Sequence, residues 1–322
     1  MSRGQRGTAL LTVLLLTATL AVLAIGMTEL MTRSLNRTIA AESRDQAFWA
    51  IAGLETAALK IIKEQGDAID LPTAPLFQQP VIIPFEGGTA TIRFSDASNC
   101  FNINDLVAPG EDGLVADEAA MERFADLVQS LGANRSAGQQ LAARAADFVD
   151  FDTRPLPGGF EDYDYTRHSV PYRTPRGLLA SVSELRAIAG FSRDVYALLA
   201  PRLCALPIDG VQMLNVNTLT PDDAPLLQGA LGDALTRSAA EQVIAQKPET
   251  GWEDVGTFLN QPLLAGTELP NHAASMLTTT SELIAMEILL EVPSGRMRQE
   301  SLIWRKAGVT RVIERSVGER LP

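Results

Sequence analysis

Residues 8–28 contain no charged side chain and are rich in leucine, valine and alanine, and this run constrains the chain more than any other feature. Coiled as a helix at ~1.5 Å per residue it measures roughly 30 Å, one hydrocarbon core. Arg3 and Arg6 precede it and the first charge after it is Glu29. The bias of basic residues therefore keeps the N-terminus cytoplasmic and sends the bulk of the chain to the far side of the membrane. A secretory signal peptide would have a shorter apolar core closed by a small-x-small site. Here the run passes into an amphipathic pattern without a clear break. A plain signal anchor and an anchor that loses a short leader both remain.

Beyond the span, Leu30, Met31, Leu35, Ile39, Phe48, Ile51, Leu54, Ala58, Leu59 and Ile62 recur at three- to four-residue spacing, with a polar gap in the middle. Arg33, Arg37, Glu42, Arg44, Asp45 and Glu55 are assigned to the opposite face. This periodicity predicts one amphipathic helix continuous from Thr8 to about Glu64, roughly 85 Å long. Gly66, Pro72, Pro75 and Pro80 then mark a loop over residues 65–80. Residues 81–85 and 89–94 read as two short strands joined at Gly87-Gly88.

From about Val107 the pattern becomes helical, over residues 116–131, 138–148 and 194–202, with a polar loop at 150–175. Ser181 and Glu184 form one capping box, and Thr250 and Glu253 form another before Val255, Phe258 and Leu259. Thr220-Pro221-Asp222-Asp223 opens a helix, with proline in the first turn and acidic residues at its positive end. Residues 283–292, 297–306 and 309–314 read as a three-stranded antiparallel meander, turning at Pro293-Ser294-Gly295 and at Gly308. The layout is a long helix, a small sheet, a helical block, then more sheet. It divides the chain into a spanning part of the helix (8–28), its amphipathic part (29–64), a first α/β part (65–106), an inserted helical domain (107–278) and C-terminal strands (279–322).

At 322 residues, 46% of them hydrophobic and 20% charged, the chain has a globular composition, large enough for two modest domains and an anchor. Its net charge of −12 repels phosphate backbones, so nucleic acid is not an expected partner. No G-x-S-x-G, G-x-x-x-x-G-K-[ST] or H-E-x-x-H motif occurs. The two histidines, His168 and His272, are too far apart for an ordinary zinc site and read as surface residues. Trp49, Trp252 and Trp304 read as packing residues. Segments around Ala187-Ile-Ala-Gly190 and over residues 214–231 resemble helix-hairpin-helix repeats. They carry few Lys or Arg and much Asp, so they are read as packing motifs.

The densest polar cluster is Asp147, Asp150, Asp152, Glu161, Asp162 and Asp164. Carboxylates this close repel unless they are protonated, solvated or bridged by a cation. Calcium takes about six to eight oxygen ligands on flexible loops, and no His or Cys lies within the cluster to favour a transition metal. A calcium site and a solvated acidic loop both fit the residues. An acid–base pair of the glycosidase kind would come from different elements framing a cleft, whereas these residues share one loop. Cys100 and Cys204 face an oxidising compartment if the orientation holds. They form either a disulfide tying the insert to its base or two buried thiols, and their separation is not readable from sequence.

The short basic leader ending at Gly7, followed by apolar residues, resembles the type IV prepilins. The family's glutamate at the fifth position after cleavage is replaced here by Thr12. A glutamate in lipid is costly unless paired, and a subunit without one suits a position with nothing ahead of it. Cys100-Phe-Asn-Ile-Asn-Asp-Leu106, Ser181-Val-Ser-Glu-Leu-Arg-Ala-Ile-Ala-Gly190, Leu203-Cys-Ala-Leu-Pro207 and Leu214-Asn-Val-Asn-Thr218 are similar to the minor pseudopilin K family of type II secretion, along the whole chain. That resemblance implies an α+β, pilin-like fold, with a long N-terminal helix on a small antiparallel sheet and a large inserted α-helical domain. It implies a leader of residues 1–7, cut by a prepilin peptidase between Gly7 and Thr8, with Thr8 then methylated. It implies a single-pass inner-membrane protein with a periplasmic domain, lateral partners in the I and J pseudopilins with H beneath, and a non-enzymatic role in priming pseudopilus assembly at the tip. It also implies calcium, bound by Asp150, Asp152, Glu161 and Asp162, with Asp164 a further candidate. The rivals are a minor pilin of a type IV pilus, and a plainly anchored calcium-binding domain or hydrolase.

Overall fold

The structure, a computed structural model, describes residues 3–85, 88–111, 113–206, 213–232, 235–292, 295–306 and 308–318. Helix α1 (Arg3–Gln65) is one unbroken helix of 63 residues. It ends where Gly66 takes a left-handed φ of 54° and a 3-10 turn follows (Gly66–Asp70). The expected loop contains this turn and a short helix, α2 (Pro75–Gln78).

From Leu10 to about Asp45 α1 touches little of its own chain: Leu30, Met31, Leu35 and Ile39 are all exposed, as are Phe48 and Trp49 beyond. Trp49, expected to pack, is 72% exposed and stands edge-on to Phe48. From Ala47 onward Ile51, Ala58 and Ile62 are buried against the sheet. Glu55 belongs to this buried stripe, not to the polar face assigned from sequence. Its carboxylate accepts from Gln299 Nε2 (3.0 Å), Ser301 Oγ (2.9 Å) and the Arg315 guanidinium (Nη2 at 2.6 Å). Donors brought from two distant strands make burial of this charge tolerable.

Strands β1 (Val81–Phe85) and β2 (Gly88–Asp96) pair with Val81 opposite Ile92. Their turn at Gly87 lies outside the described residues. The chain then leaves the sheet through β3 (Phe101–Asn102) and a 3-10 turn over Ile103–Leu106. A hairpin follows, β4 (Val107–Gly110) and β5 (Gly113–Ala116), where helix was expected. Two strand-length segments meeting at Pro-Gly-Glu-Asp-Gly carry the local signal for it.

Helices α3 (Glu118–Ser130) and α4 (Arg135–Val149) start on the side chains of Asp117 and Asn134, which accept from backbone amides in the first turn. The insert continues through α5 (Asp162–Tyr165), a 3-10 turn over Val182–Ala187, α6 (Arg193–Leu199) and β6 (Leu203–Cys204). It ends with β7 (Leu214–Asn215), α7 (Ala224–Leu231), α8 (Arg237–Ala245), α9 (Val255–Leu259) and β8 (Leu277–Thr278). The box at Ser181/Glu184 forms and opens a 3-10 turn; at Thr220, read from sequence as a helix start, the structure adds a box with Asp223 that opens another. The box expected at Thr250 does not: α9 is capped by Asp254, whose carboxylate accepts from Thr257 N (2.7 Å). Trp252 N donates instead to Asn217 Oδ1 (2.7 Å). Phe124, Leu127, Phe148, Tyr165, Leu185 and Phe258 lie at the centre of a core separate from the one beneath α1.

The last three strands, β9 (Leu283–Val292), β10 (Gly295–Lys306) and β11 (Val309–Val317), complete an antiparallel sheet of order β1-β2-β9-β10-β11. Because β2 pairs directly with β9 (Ile92 opposite Ile288), the insert is spliced between two neighbouring strands. Alternation along β9 turns Ile284, Met286, Ile288 and Leu290 onto α1. Two devices fasten the splice. Asp96, at the end of β2, accepts from Asn215 Nδ2 (2.7 Å), Thr218 Oγ1 (2.9 Å) and Ser281 Oγ (2.7 Å). Cys100 and Cys204 form a disulfide with Cα atoms 5.7 Å apart, beside the parallel pair β3–β6.

Candidate metal centre

Helix α4 ends at Asp150, its C-cap. Asp147 lies three residues earlier and so on the same face. Both carboxylates thus sit at the negative end of a helix, where a cation is favoured and an anion is not. The loop that follows carries Asp152 and returns to Glu161, which starts α5. This return brings single oxygens of Asp150, Asp152 and Glu161 within 4.8 Å of one another. Asp150 is 3% exposed and Glu161 5%, while Asp152 is exposed. Asp150 Oδ1 and Glu161 Oε1 are buried with no hydrogen-bond partner. Three converging carboxylates, two of them buried and each with an unpartnered oxygen, form an arrangement that asks for a positive charge.

The electrostatics agree. Burial, reinforced by the Asp152 charge and opposed by Arg176, pushes Asp150 up to about 6. Burial, then the charge of Asp150, pushes Glu161 up to about 7. Asp147, 0% exposed, is also raised to about 7, mainly by burial. Its oxygens accept from Leu156 N (3.1 and 3.2 Å), which pins the middle of the loop. Gly159 packs so closely on that carboxylate that a Cβ there would lie 1.8 Å from Asp147 Oδ2.

Asp162 does not join the three. Its Oδ1 accepts from Thr174 N (2.8 Å) and Thr174 Oγ1 (2.9 Å), and Arg176 and Arg173 flank its Oδ2. The Thr174 amide, despite opposing desolvation, holds its carboxyl below the usual range. The side chain fastens the far end of the loop. Asp164 accepts from Glu161 N (3.1 Å) and serves as a cap. The donor set that does converge is all carboxylate oxygen, which fits a hard cation such as calcium, with backbone oxygens and water as the remaining ligands.

A ring cluster supports the loop from below. Tyr165, 0% exposed, meets Phe148 edge-on at 5.4 Å and packs on Phe160 and Tyr172. The Arg144 guanidinium lies 4.5 Å over Phe160. Sequence reading passed over Asp147 as a loop-holding residue, and Gly159, Arg144 and Tyr165 altogether. Only the i, i+3 spacing of Asp147 and Asp150 hinted at the first.

Comparison with known proteins places this fold. Two family models described as type II secretion system protein K match residues 99–208 and 214–280. The protein of that name from Pectobacterium carotovorum subsp. carotovorum is 34% identical over 99% of this chain and 98% of its own length. The Klebsiella pneumoniae protein is 35% identical over the same shares. The chain belongs to the type II secretion system protein K family. It is therefore a minor pseudopilin of type II secretion, α+β in fold. Its one described helix long and apolar enough to cross a membrane fits a single-pass anchor in such a pseudopilin. A solved structure titled as the GspK-GspI-GspJ complex from enterotoxigenic Escherichia coli matches with a TM-score of 0.75 and 26% identity. The match covers 88% of this chain and 100% of that one.

Proposed function

We propose that the chain is the terminal subunit of the type II secretion pseudopilus, a non-catalytic cap that primes filament growth and carries calcium in its inserted domain. The observation that carries the reading is the bare apolar stripe of α1 beyond the span. Leu30, Met31, Leu35, Ile39 and Phe48 are more than half exposed, and a helix with an apolar stripe outside lipid calls for other helices to cover it. On this reading the I and J pseudopilins, by analogy with the complex of the E. coli proteins, lie against that stripe, with H beneath. The bulk of the insert and the missing glutamate at Thr12 support a position with nothing above it.

The leader is then residues 1–7, removed by the prepilin peptidase, with Thr8 methylated. The N-terminus stays on the cytoplasmic side of the inner membrane and the sheet and insert lie in the periplasm. Residues 8–28 form the spanning unit, 29–64 the packing unit, 65–106 with 279–322 the pilin-like unit, and 107–278 the insert. The segment around Gly190 acts as a helix-hairpin-helix packing unit. The Ala189 amide donates to Tyr165 Oη (3.4 Å) and its carbonyl accepts from Arg144 Nη1 (3.3 Å), so these groups are spent within the fold.

Calcium at Asp150, Asp152 and Glu161 would neutralise the buried carboxylates and hold the loop. The test of the main reading is co-purification of I and J from membranes, with intact-mass analysis of the chain. Leu35→Glu with Ile39→Glu should abolish co-purification yet leave cleavage after Gly7 and methylation intact. Retained partners would refute the helix-packing mode. An unprocessed N-terminus in cells that contain the peptidase would refute the pilin-type route.

A further inference from the structure

A cleft of about 1820 Å³ separates the sheet from the insert. The Val182–Ala187 turn and Phe191 form part of its insert wall, opposite Arg93 and Glu287 of the sheet. This wall does not stand by itself. Gly190 takes a left-handed φ of 98° in the turn behind it, and the polar backbone groups around that turn are tied to the carboxylate loop. Tyr165, at the end of α5, accepts from Ala189 N (3.4 Å). Tyr172 Oη donates to Ala187 O (2.5 Å). Arg144 donates both to Ala189 O (3.3 Å) and to Gly158 O in the loop itself (3.2 Å). A Cβ on Gly190 would lie 2.5 Å from Arg144 Nη1, so the turn is packed directly onto that guanidinium.

The other end of the linkage is the carboxylate group. Glu161 is the residue at which α5 begins, and Tyr165 lies at the end of that same four-residue helix. Asp150 and Glu161 are each more than nine-tenths buried, each carries a buried oxygen without a hydrogen-bond partner, and each brings an oxygen within 4.8 Å of the other and of Asp152. Without a cation these repelling groups push Glu161 away from Asp150. Any such shift carries α5, and with it Tyr165.

We propose that cation occupancy at Asp150, Asp152 and Glu161 sets the order of the Ala187–Gly190 turn, and thereby of one wall of the cleft, through Tyr165, Tyr172 and Arg144. This rests on the reading of those carboxylates as ligands. A local opening that depends on few contacts responds strongly when one of them is biased, so the order of the cleft wall follows cation occupancy.

Hydrogen exchange read by mass spectrometry on the full-length protein in detergent tests this, in excess calcium and in EGTA. Amides of residues 150–165 and of residues 182–191 should both exchange about tenfold or more faster in EGTA. Tyr172→Phe and, separately, Tyr165→Phe should leave the calcium response of 150–161 in place and reduce that of 182–191. Tyr172 is only partly buried, so its variant folds even if the Tyr165 variant does not. A calcium response confined to 150–165 in the unmodified protein would overturn the linkage and leave the metal site standing. No response in either segment would overturn the metal site, and the linkage with it.

Discussion

Glu55 is the residue whose removal says most about how α1 is held. It is 7% exposed, and three side chains from the far end of the chain donate to it. Burial by itself would raise its pKa, but the donors Arg315, Ser301 and Gln299 outweigh that and hold it below the ordinary value. Glu55→Gln keeps the shape and removes the charge. A hydrogen bond to a charged group contributes about 1.5–3 kcal/mol and a neutral one about 0.5–1.5, so the variant loses about 1.5 kcal/mol.

Arg315→Leu costs more, about 2 kcal/mol, because it leaves the carboxylate buried with only two neutral donors. The larger figures measured for fully buried pairs do not apply, since the Arg315 side chain is 55% exposed. The double variant should cost little more than Arg315→Leu alone, a coupling of about 1 kcal/mol. Urea unfolding of the detergent-solubilised protein, followed by tryptophan fluorescence, to which Trp304 on β10 contributes, measures all three.

The pH dependence has a definite sign. A carboxylate with a depressed folded pKa adds stability that is present above its unfolded pKa and lost as pH falls through the folded value. The gap between the unmodified protein and Glu55→Gln should therefore be constant above pH ~5 and close below pH ~4. A Glu55→Gln variant within 0.3 kcal/mol of the unmodified protein, with no closing of the gap in acid, would refute the clamp.

Four further outcomes are expected. Calcium at about a hundredfold excess over its dissociation constant should stabilise the protein by about 2.7 kcal/mol, and Asp150→Asn should abolish that gain; differential scanning calorimetry with calcium and with EGTA decides it. In EGTA the raised values of Asp147, Asp150 and Glu161 have the opposite sign to Glu55: these groups cost stability as pH rises from about 4 through 7, so the calcium-minus-EGTA difference in melting temperature should grow over that window. Gly159→Ala should displace the Asp147 carboxylate and cost about 2 kcal/mol in EGTA, read by the same calorimetry. Replacing both cysteines by alanine opens a closure spanning 104 residues, worth up to about 4.7 kcal/mol in the loop-entropy picture, and urea midpoints of the two proteins measure it.

Much of this protein is local physics and was legible from the residues alone. A span without charge has only one economical form in a membrane. Period-3.6 and period-2 patterns place α1 and all five strands of the sheet to within a few residues, and the Ser181 box closes over three residues without outside help. Other features belong to tertiary structure, because each depends on a partner far along the chain. Glu55 sits on the buried face only because β10 and β11 bring it donors more than 240 positions away. Thr250 forgoes its cap because Asn217 takes the Trp252 amide. Asp162 leaves the carboxylate group because Thr174 and Arg176 hold it, and Cys100 finds Cys204 because two strands of two residues each run side by side. Sequence spacing specifies which side chains share a face; which of those faces is covered, and by what charge, is decided when distant segments meet.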